Sequence, residues 1–140
     1  KIACKDLIND NPEYKNKFFK DYEIKRIDLC IPKRGYELKS NETYILETGF
    51  DKINGVSFSK GCFIGQEVTA RMRHKTTLKN GLVKLQAFKI PLKANTQITN
   101  EKGQLAGHIS SSINKKGLGI IKFIYAKGKL FYGENELKIL

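Results

Sequence analysis

The densest chemistry in this chain lies in residues 59–74, which read Ser59-Lys60-Gly61-Cys62-Phe63-Ile64-Gly65-Gln66-Glu67-Val68-Thr69-Ala70-Arg71-Met72-Arg73-His74. Ile64, Val68 and Met72 recur every four residues, which predicts the apolar face of a helix running to about His74. Glu67 and Arg71 stand at i and i+4 in the stabilising order, on a more polar side. Cys62 is then expected at or just before the helix N-terminus, where unpaired backbone N–H groups and the helix dipole favour an anion. With Lys60 two positions away and Arg71 within reach, its thiol has several reasons to titrate below a free cysteine, and the chemistry would be that of a thiolate. Gly61 opens backbone angles closed to other residues, Gly65 permits close approach of a ligand or segment, and Gln66 offers both donor and acceptor groups. A plainer reading stays open. A lone cysteine before a helix is often a small buried hydrophobe, and an exposed Glu–Arg pair adds only roughly 0.2–0.5 kcal/mol.

The elements around this stretch divide the chain near residues 75–77, into segments 1–75 and 76–140. In the first, Asn11-Pro12-Glu13 fits a helix start with Asn as cap and Pro at the first helical position. Tyr22, Arg26, Ile27 and Cys30 follow near helical spacing until Pro32 and Gly35 end the run. Residues 43–47, rich in β-branched and aromatic side chains, predict an extended segment, and Asn54-Gly55 predicts a tight turn before Val56. From Leu78 onward short apolar alternations are separated by turn residues, an all-β pattern. Candidate strands cover 82–88, 96–99, 104–110, 118–125 and 137–140. Five or six such strands suit a small barrel, which closes on itself and so removes exposed edges.

Composition narrows the function classes. The 140 residues carry 26 Lys and Arg against 14 Asp and Glu, a net charge of +12. Only four of those cations are Arg, and the lysines are scattered, whereas base readers lean on Arg for bidentate contacts. A general attraction to polyanions is expected, and nucleic-acid reading is disfavoured. Cys4, Cys30 and Cys62 cannot all pair within one chain, and none are spaced C-x-x-C. Free thiols in a reducing compartment are expected, and no metal site is assigned. No apolar run approaches the roughly 18 residues that span a bilayer, so no membrane association is expected. The opening, Lys1 rather than Met with no leader pattern, reads as a trimmed piece.

The octet Lys60-Gly61-Cys62-Phe63-Ile64-Gly65-Gln66-Glu67 resembles the signature K-G-C-[Y/F]-x-G-Q-E of the YgfZ folate-binding family, which is related to the glycine cleavage T-protein. The continuation Val68-Thr69-Ala70-Arg71 is similar to the branch that includes mitochondrial iron–sulfur assembly factors. Tyr22 through Pro32 is similar to the family's Y-x-x-x-R-I-x-x-G-I-P segment, and Gly103-Gln104-Leu105-Ala106-Gly107-His108-Ile109-Ser110-Ser111 resembles the closing-barrel motif of the T-proteins. Two departures stand out: Phe63 replaces the commoner Tyr, and Cys30 stands where the family often has Gly.

The resemblance implies an α+β fold: the C-terminal part of a ferredoxin-like, T-protein-like folate-binding domain in 1–75, followed by a small β-barrel in 76–140. Family members are considerably longer and form a ring of modules around a central folate site, so much of that site is expected outside this chain. Glu47, in Ile45-Leu46-Glu47-Thr48-Gly49, resembles the L-E-A-G segment whose glutamate meets the pterin ring, since a carboxylate can accept from pterin N–H groups. A strand-end acid exposed to solvent is the competing reading. The function implied by the resemblance is that of a folate-dependent accessory factor in iron–sulfur cluster assembly or repair. Cys62 would be the reactive or sulfur-handling thiol, tuned by Lys60 and Arg71. Gln66 and Glu67 would shape the loop and, with Glu47, bind tetrahydrofolate or a derivative. Partners would be folate and iron–sulfur proteins or their assembly machinery, acting with a monomer in a bacterial cytoplasm or a mitochondrial matrix. Two other readings remain: aminomethyltransferase-like one-carbon transfer to tetrahydrofolate, against which the Cys62 octet speaks, and a basic nucleic-acid-binding barrel.

Overall fold

The computed structural model describes residues 12–61, 64, 66–75 and 78–140. Helix α1 spans Pro12–Asp28 and helix α2 spans Glu67–Lys75. Six strands come after them: β1 Asn80–Ala87, β2 Thr96–Asn100, β3 Leu105–Ile113, β4 Lys116–Lys122, β5 Leu130–Tyr132 and β6 Asn135–Ile139. All neighbours are antiparallel, and the strands close into a barrel in the order β1-β4-β3-β2-β5-β6. Register shifts at Ile98/Thr99 and at Ile109/Ser111 bend β2 and β3, as a small closed barrel requires.

Alternation along the strands builds the core. Leu85, Ala87, Ile98, Ile109, Ile121, Leu130 and Leu137 point inward and are all buried. The opposite face of β1 and β4 is covered too, because Leu82 and Leu118 pack against Ile27 of α1, and both Ile27 and Leu118 are fully buried. Burying one such isoleucine contributes roughly 1.5–3 kcal/mol. Two lysines on that same outer face clamp the end of α1: Lys84 Nζ donates to the Asp28 carbonyl at 3.1 Å, and Lys116 Nζ donates to Asp28 Oδ1 at 2.8 Å. The Lys116 hydrogen bond, aided by the charges of Lys84 and Lys25, holds the Asp28 carboxyl below the usual range.

The expected first helix is present, with Pro12 at its first position, where a missing N–H costs nothing. Asn11 lies outside the described residues. The helix stops before Cys30. Ile31 N–H bonds the Arg26 carbonyl at 3.0 Å and Cys30 N–H bonds the Ile27 carbonyl at 3.1 Å, the paired bonds of a Schellman cap. Such a cap needs a left-handed residue, and Cys30 supplies it with φ of 55°. That conformation costs an L-residue roughly 1–2 kcal/mol, partly offset by packing of the half-buried thiol against the Ile27 cluster. Cys30→Gly is expected to raise stability by up to about 1 kcal/mol in urea unfolding, whereas Cys30→Ala, which keeps the strain and loses the sulfur, should lower it. The opposite order would refute the backbone account.

Four expectations need correction. Residues 43–47 are not extended: Glu47 N–H bonds the Tyr44 carbonyl at 3.0 Å, Thr48 N–H bonds that of Ile45 at 3.2 Å, and Gly49 N–H bonds that of Leu46 at 3.3 Å. The Thr48 hydroxyl also bonds the Ile45 carbonyl at 2.9 Å, and Gly49 takes φ of 75°, so local turn bonds prevail over β propensity. Helix α2 begins at Glu67, not near Cys62, with Ala70 N–H bonding the Gln66 carbonyl at 3.2 Å. Ile64 therefore precedes the helix and is fully exposed, and Val68 is exposed as well, so the expected apolar face does not form. In the barrel, the 118–125 run ends as a strand at Lys122 and finishes as a 3-10 turn, Phe123–Tyr125, while the short β5 matches none of the candidate strands.

Candidate functional site

The turns at residues 44–50 separate two cavities. The first, of about 170 Å³, is lined by Ile45, Phe58, Lys60, Gly61, Gln66 and Ala70 among others. It joins Lys60 and Gly61 to the start of α2, and brings the predicted residues Lys60 and Gln66 to the same cavity. Gly61 takes φ of 79°, the left-handed angle expected of it. Arg73 lies over the Phe58 ring at 5.0 Å, a cation–π contact that ties α2 to the segment before the loop. Cys62, the central candidate, lies outside the described residues.

Arg71 and Glu67 do not line that cavity. Their side chains pair with each other on the exposed side of α2, with 63% and 78% of their surface accessible. The pair expected from the i, i+4 spacing forms, but it occupies solvent, and Arg71 is committed to Glu67.

Glu47 belongs to the second cavity, of about 190 Å³, together with Tyr36, Thr43, Asn80, His108 and Ile120. It is half-buried, not an exposed strand-end acid. Two bonds fasten it to β1: its carbonyl accepts from Leu82 N–H at 2.7 Å, and its Oε1 accepts from Asn80 Nδ2 at 3.1 Å. His108, on β3, is half-buried there, and burial, then the charge of Lys39, lowers its pKa below the usual imidazole value. Nothing in the sequence points to Asn80, because no local pattern couples residues 33 positions apart. His108, on a strand whose alternation leaves it free to pack or to face solvent, does partly pack, with a cavity in front of it.

Residues resembling the family's Tyr–Arg–Ile segment turn out to be structural. Arg26, 2% exposed, donates from Nη1 to the Ile31 carbonyl at 2.8 Å and to Glu37 Oε2 at 3.1 Å, and from Nη2 to Ser111 Oγ at 2.8 Å. This knot joins α1, the following loop and β3. Glu23 completes it, bonded to Arg26 and to Lys33. Burial pushes the Glu23 carboxyl up, but hydrogen bonds from Lys33 and Arg26 outweigh it and hold the group below its ordinary value. Cys30, beside the knot, has its thiol pushed up by burial, against the pull of Lys52 and Lys84, so it is poorly suited to thiolate chemistry. Among the described residues, no group of three or more His, Cys, Asp or Glu side chains is placed to hold a metal ion, and no helix is long and apolar enough to cross a membrane.

No protein-family profile matches the chain. Curated relatives do. It is 32% identical over 128 residues to the mitochondrial iron–sulfur cluster assembly factor IBA57 of Mus musculus, covering 86% of this chain and 35% of that protein. The factor of the same name from Homo sapiens is 30% identical over 121 residues, covering 83% of this chain and 34% of that protein. A homologue from Neurospora crassa is 36% identical over 62 residues, covering 44% of this chain and 14% of that protein. This chain is similar to iron–sulfur cluster assembly factors. It spans about a third of the length of the mouse and human relatives.

Proposed function

We propose that this chain is the C-terminal portion of a YgfZ-type, folate-dependent accessory factor in iron–sulfur cluster assembly or repair, acting through the Cys62 loop. The observation that carries this reading is the similarity to named assembly factors across 86% of the chain, a span that includes much of the recognisable sequence. The relatives are named mitochondrial, which accords with a mitochondrial-matrix home if the source is eukaryotic. Lys60 and Gln66, lining the same cavity, support a role for this segment. Glu67 and Arg71, paired in solvent, support it less, and their part is to stabilise the first turn of α2.

The two cavities bear on the fit to folate. Each is smaller than the roughly 300–1,000 Å³ of a pocket that encloses a drug-sized ligand, so each suits a ring or a tail and not a whole folate. Glu47, half-buried and beside a polar cavity, has the acceptor chemistry for pterin N–H groups, and Gln66, in the other cavity, has amide chemistry for a different part of the ligand. When bound, tetrahydrofolate supplies a reduced pterin able to accept a one-carbon unit. Glu47 would orient that ring.

The test is complementation of a cell lacking its own factor, reading the activity of a cluster-containing enzyme, alongside tetrahydrofolate titration. Wild type should restore activity and Cys62→Ser should not, while Glu47→Ala should weaken folate binding about tenfold, equivalent to about 1.4 kcal/mol. Full restoration by Cys62→Ser would remove the thiol from the mechanism. A nucleic-acid barrel would instead show binding that falls steeply with salt and ignores Cys62→Ser.

A further inference from the structure

We infer that the cavity beneath Glu47 is the ring-binding half of a ligand site that the barrel itself completes, with Asn80 as the positioning residue for the Glu47 carboxylate and His108 as a second wall contact. This rests on the folate reading above and adds to it two barrel residues on β1 and β3. The carboxylate is the acceptor a pterin-class ring needs, and its direction is set by Asn80 Nδ2 at 3.1 Å while its backbone is held by Leu82 N–H at 2.7 Å. An acceptor fixed at both backbone and side chain loses little freedom when a ligand arrives, so more of the contact energy appears as affinity.

The cavity does not end at His108. A neighbouring cavity of about 360 Å³ shares Asn80, His108 and Ile120 with it and adds Gln97, Leu105 and Lys122. Asn80 and His108 line both, between a region that holds the Glu42 and Glu47 carboxylates with Lys39 beside them and one that holds the Lys122 cation, whose Nζ bonds the Leu105 carbonyl at 3.1 Å. The chemistry is graded accordingly. A ring that donates N–H groups fits the Glu47 end, and an anionic tail fits the Lys122 end. His108, whose pKa is lowered by burial and then by Lys39, carries ring nitrogens that can give or take a hydrogen bond between them.

Two probes separate ring from tail: pterin-6-carboxylate and 5-formyltetrahydrofolate, each titrated by calorimetry against the full-length protein of which this chain is a portion. Asn80→Leu, similar in shape but without the donor, is expected to weaken both probes about tenfold, because the Glu47 carboxylate then loses the bond that sets its direction. Asn80→Gln, which restores an amide, should recover much of that affinity, and Asn80→Ala serves as the second donor-less variant if the leucine disturbs folding. Melting temperatures should move little across the series, and His108→Leu should weaken both probes. Lys122→Ala should weaken only the probe that carries the tail. Should Glu47→Gln abolish binding while Asn80→Leu and Asn80→Ala leave it intact, the positioning role is wrong and the folate reading survives. Should Glu47→Gln bind both probes normally, or wild type bind neither, the folate role of Glu47 falls and this inference with it.

Discussion

Glu37→Ala should destabilise the fold by about 3–5 kcal/mol, the cost of stripping a buried guanidinium of its fully buried partner. Glu37 is 1% exposed and accepts from Arg26 Nη1 at 3.1 Å, from Lys33 N–H at 3.0 Å and from the Ser111 hydroxyl. The Ser111 oxygen in turn accepts from Arg26 Nη2 at 2.8 Å, so acid, base and hydroxyl form a closed triangle across α1, the loop after it and β3. Removing the carboxylate leaves the guanidinium with one charged partner among the described residues, Glu23, whose side chain is 25% exposed. The double variant Arg26→Met, Glu37→Leu removes both charges and both desolvation penalties, and should regain most of the loss. Urea unfolding of Arg26→Met, of Glu37→Leu and of the double variant decides it. If the double costs the sum of the singles, the groups are not acting as one network.

A second large effect is expected at a residue with no side chain. A Cβ on Gly107 would come within 2.2 Å of the Ile120 carbonyl oxygen and 2.8 Å of the Ile121 Cα. Both are backbone atoms of β4, which cannot step aside as a flexible side chain would. Gly107→Ala should therefore cost about 3 kcal/mol, at the upper end for overpacking, and should loosen the β3–β4 seam in hydrogen exchange. Gly103, in the turn before β3, provides the control. It has φ of 72° but nothing within 4 Å of its would-be Cβ, so Gly103→Ala should cost only the left-handed penalty of about 1–2 kcal/mol. Equal losses at the two sites would show that close strand approach is not what Gly107 provides.

Much of the barrel is legible in the sequence because its information is local. Alternation of apolar and polar residues marks a strand wherever one face is covered, and turn residues mark its ends. Four of the candidate strands overlap β1, β2, β3 and β6 closely. β5 is not legible, since Leu130–Tyr132 is three residues long and offers no period to count. Residues 43–47 mislead for the opposite reason: their composition favours a strand, but the Thr48 hydroxyl and Gly49 offer the backbone a tighter alternative. The apolar spacing of Ile64, Val68 and Met72 is real, yet periodicity cannot say where the first helical hydrogen bond forms. It forms from Ala70 to Gln66, three residues too late for Ile64 to join an apolar face.

The candidate site divides along the same line. From the sequence alone came the octet, the glutamate at position 47, the Glu67–Arg71 pair and the end of the first helix, each a pattern contained in a few consecutive residues. Tertiary structure decided that Glu47 meets Asn80 and shares a cavity with His108, that Arg71 is spent on Glu67 at the surface, and that Arg26 reaches Ser111, 85 positions away. Such meetings depend on barrel closure and on the packing of α1 against its outer wall. Those are outcomes of burying apolar surface over the whole chain, and no short stretch of residues encodes them.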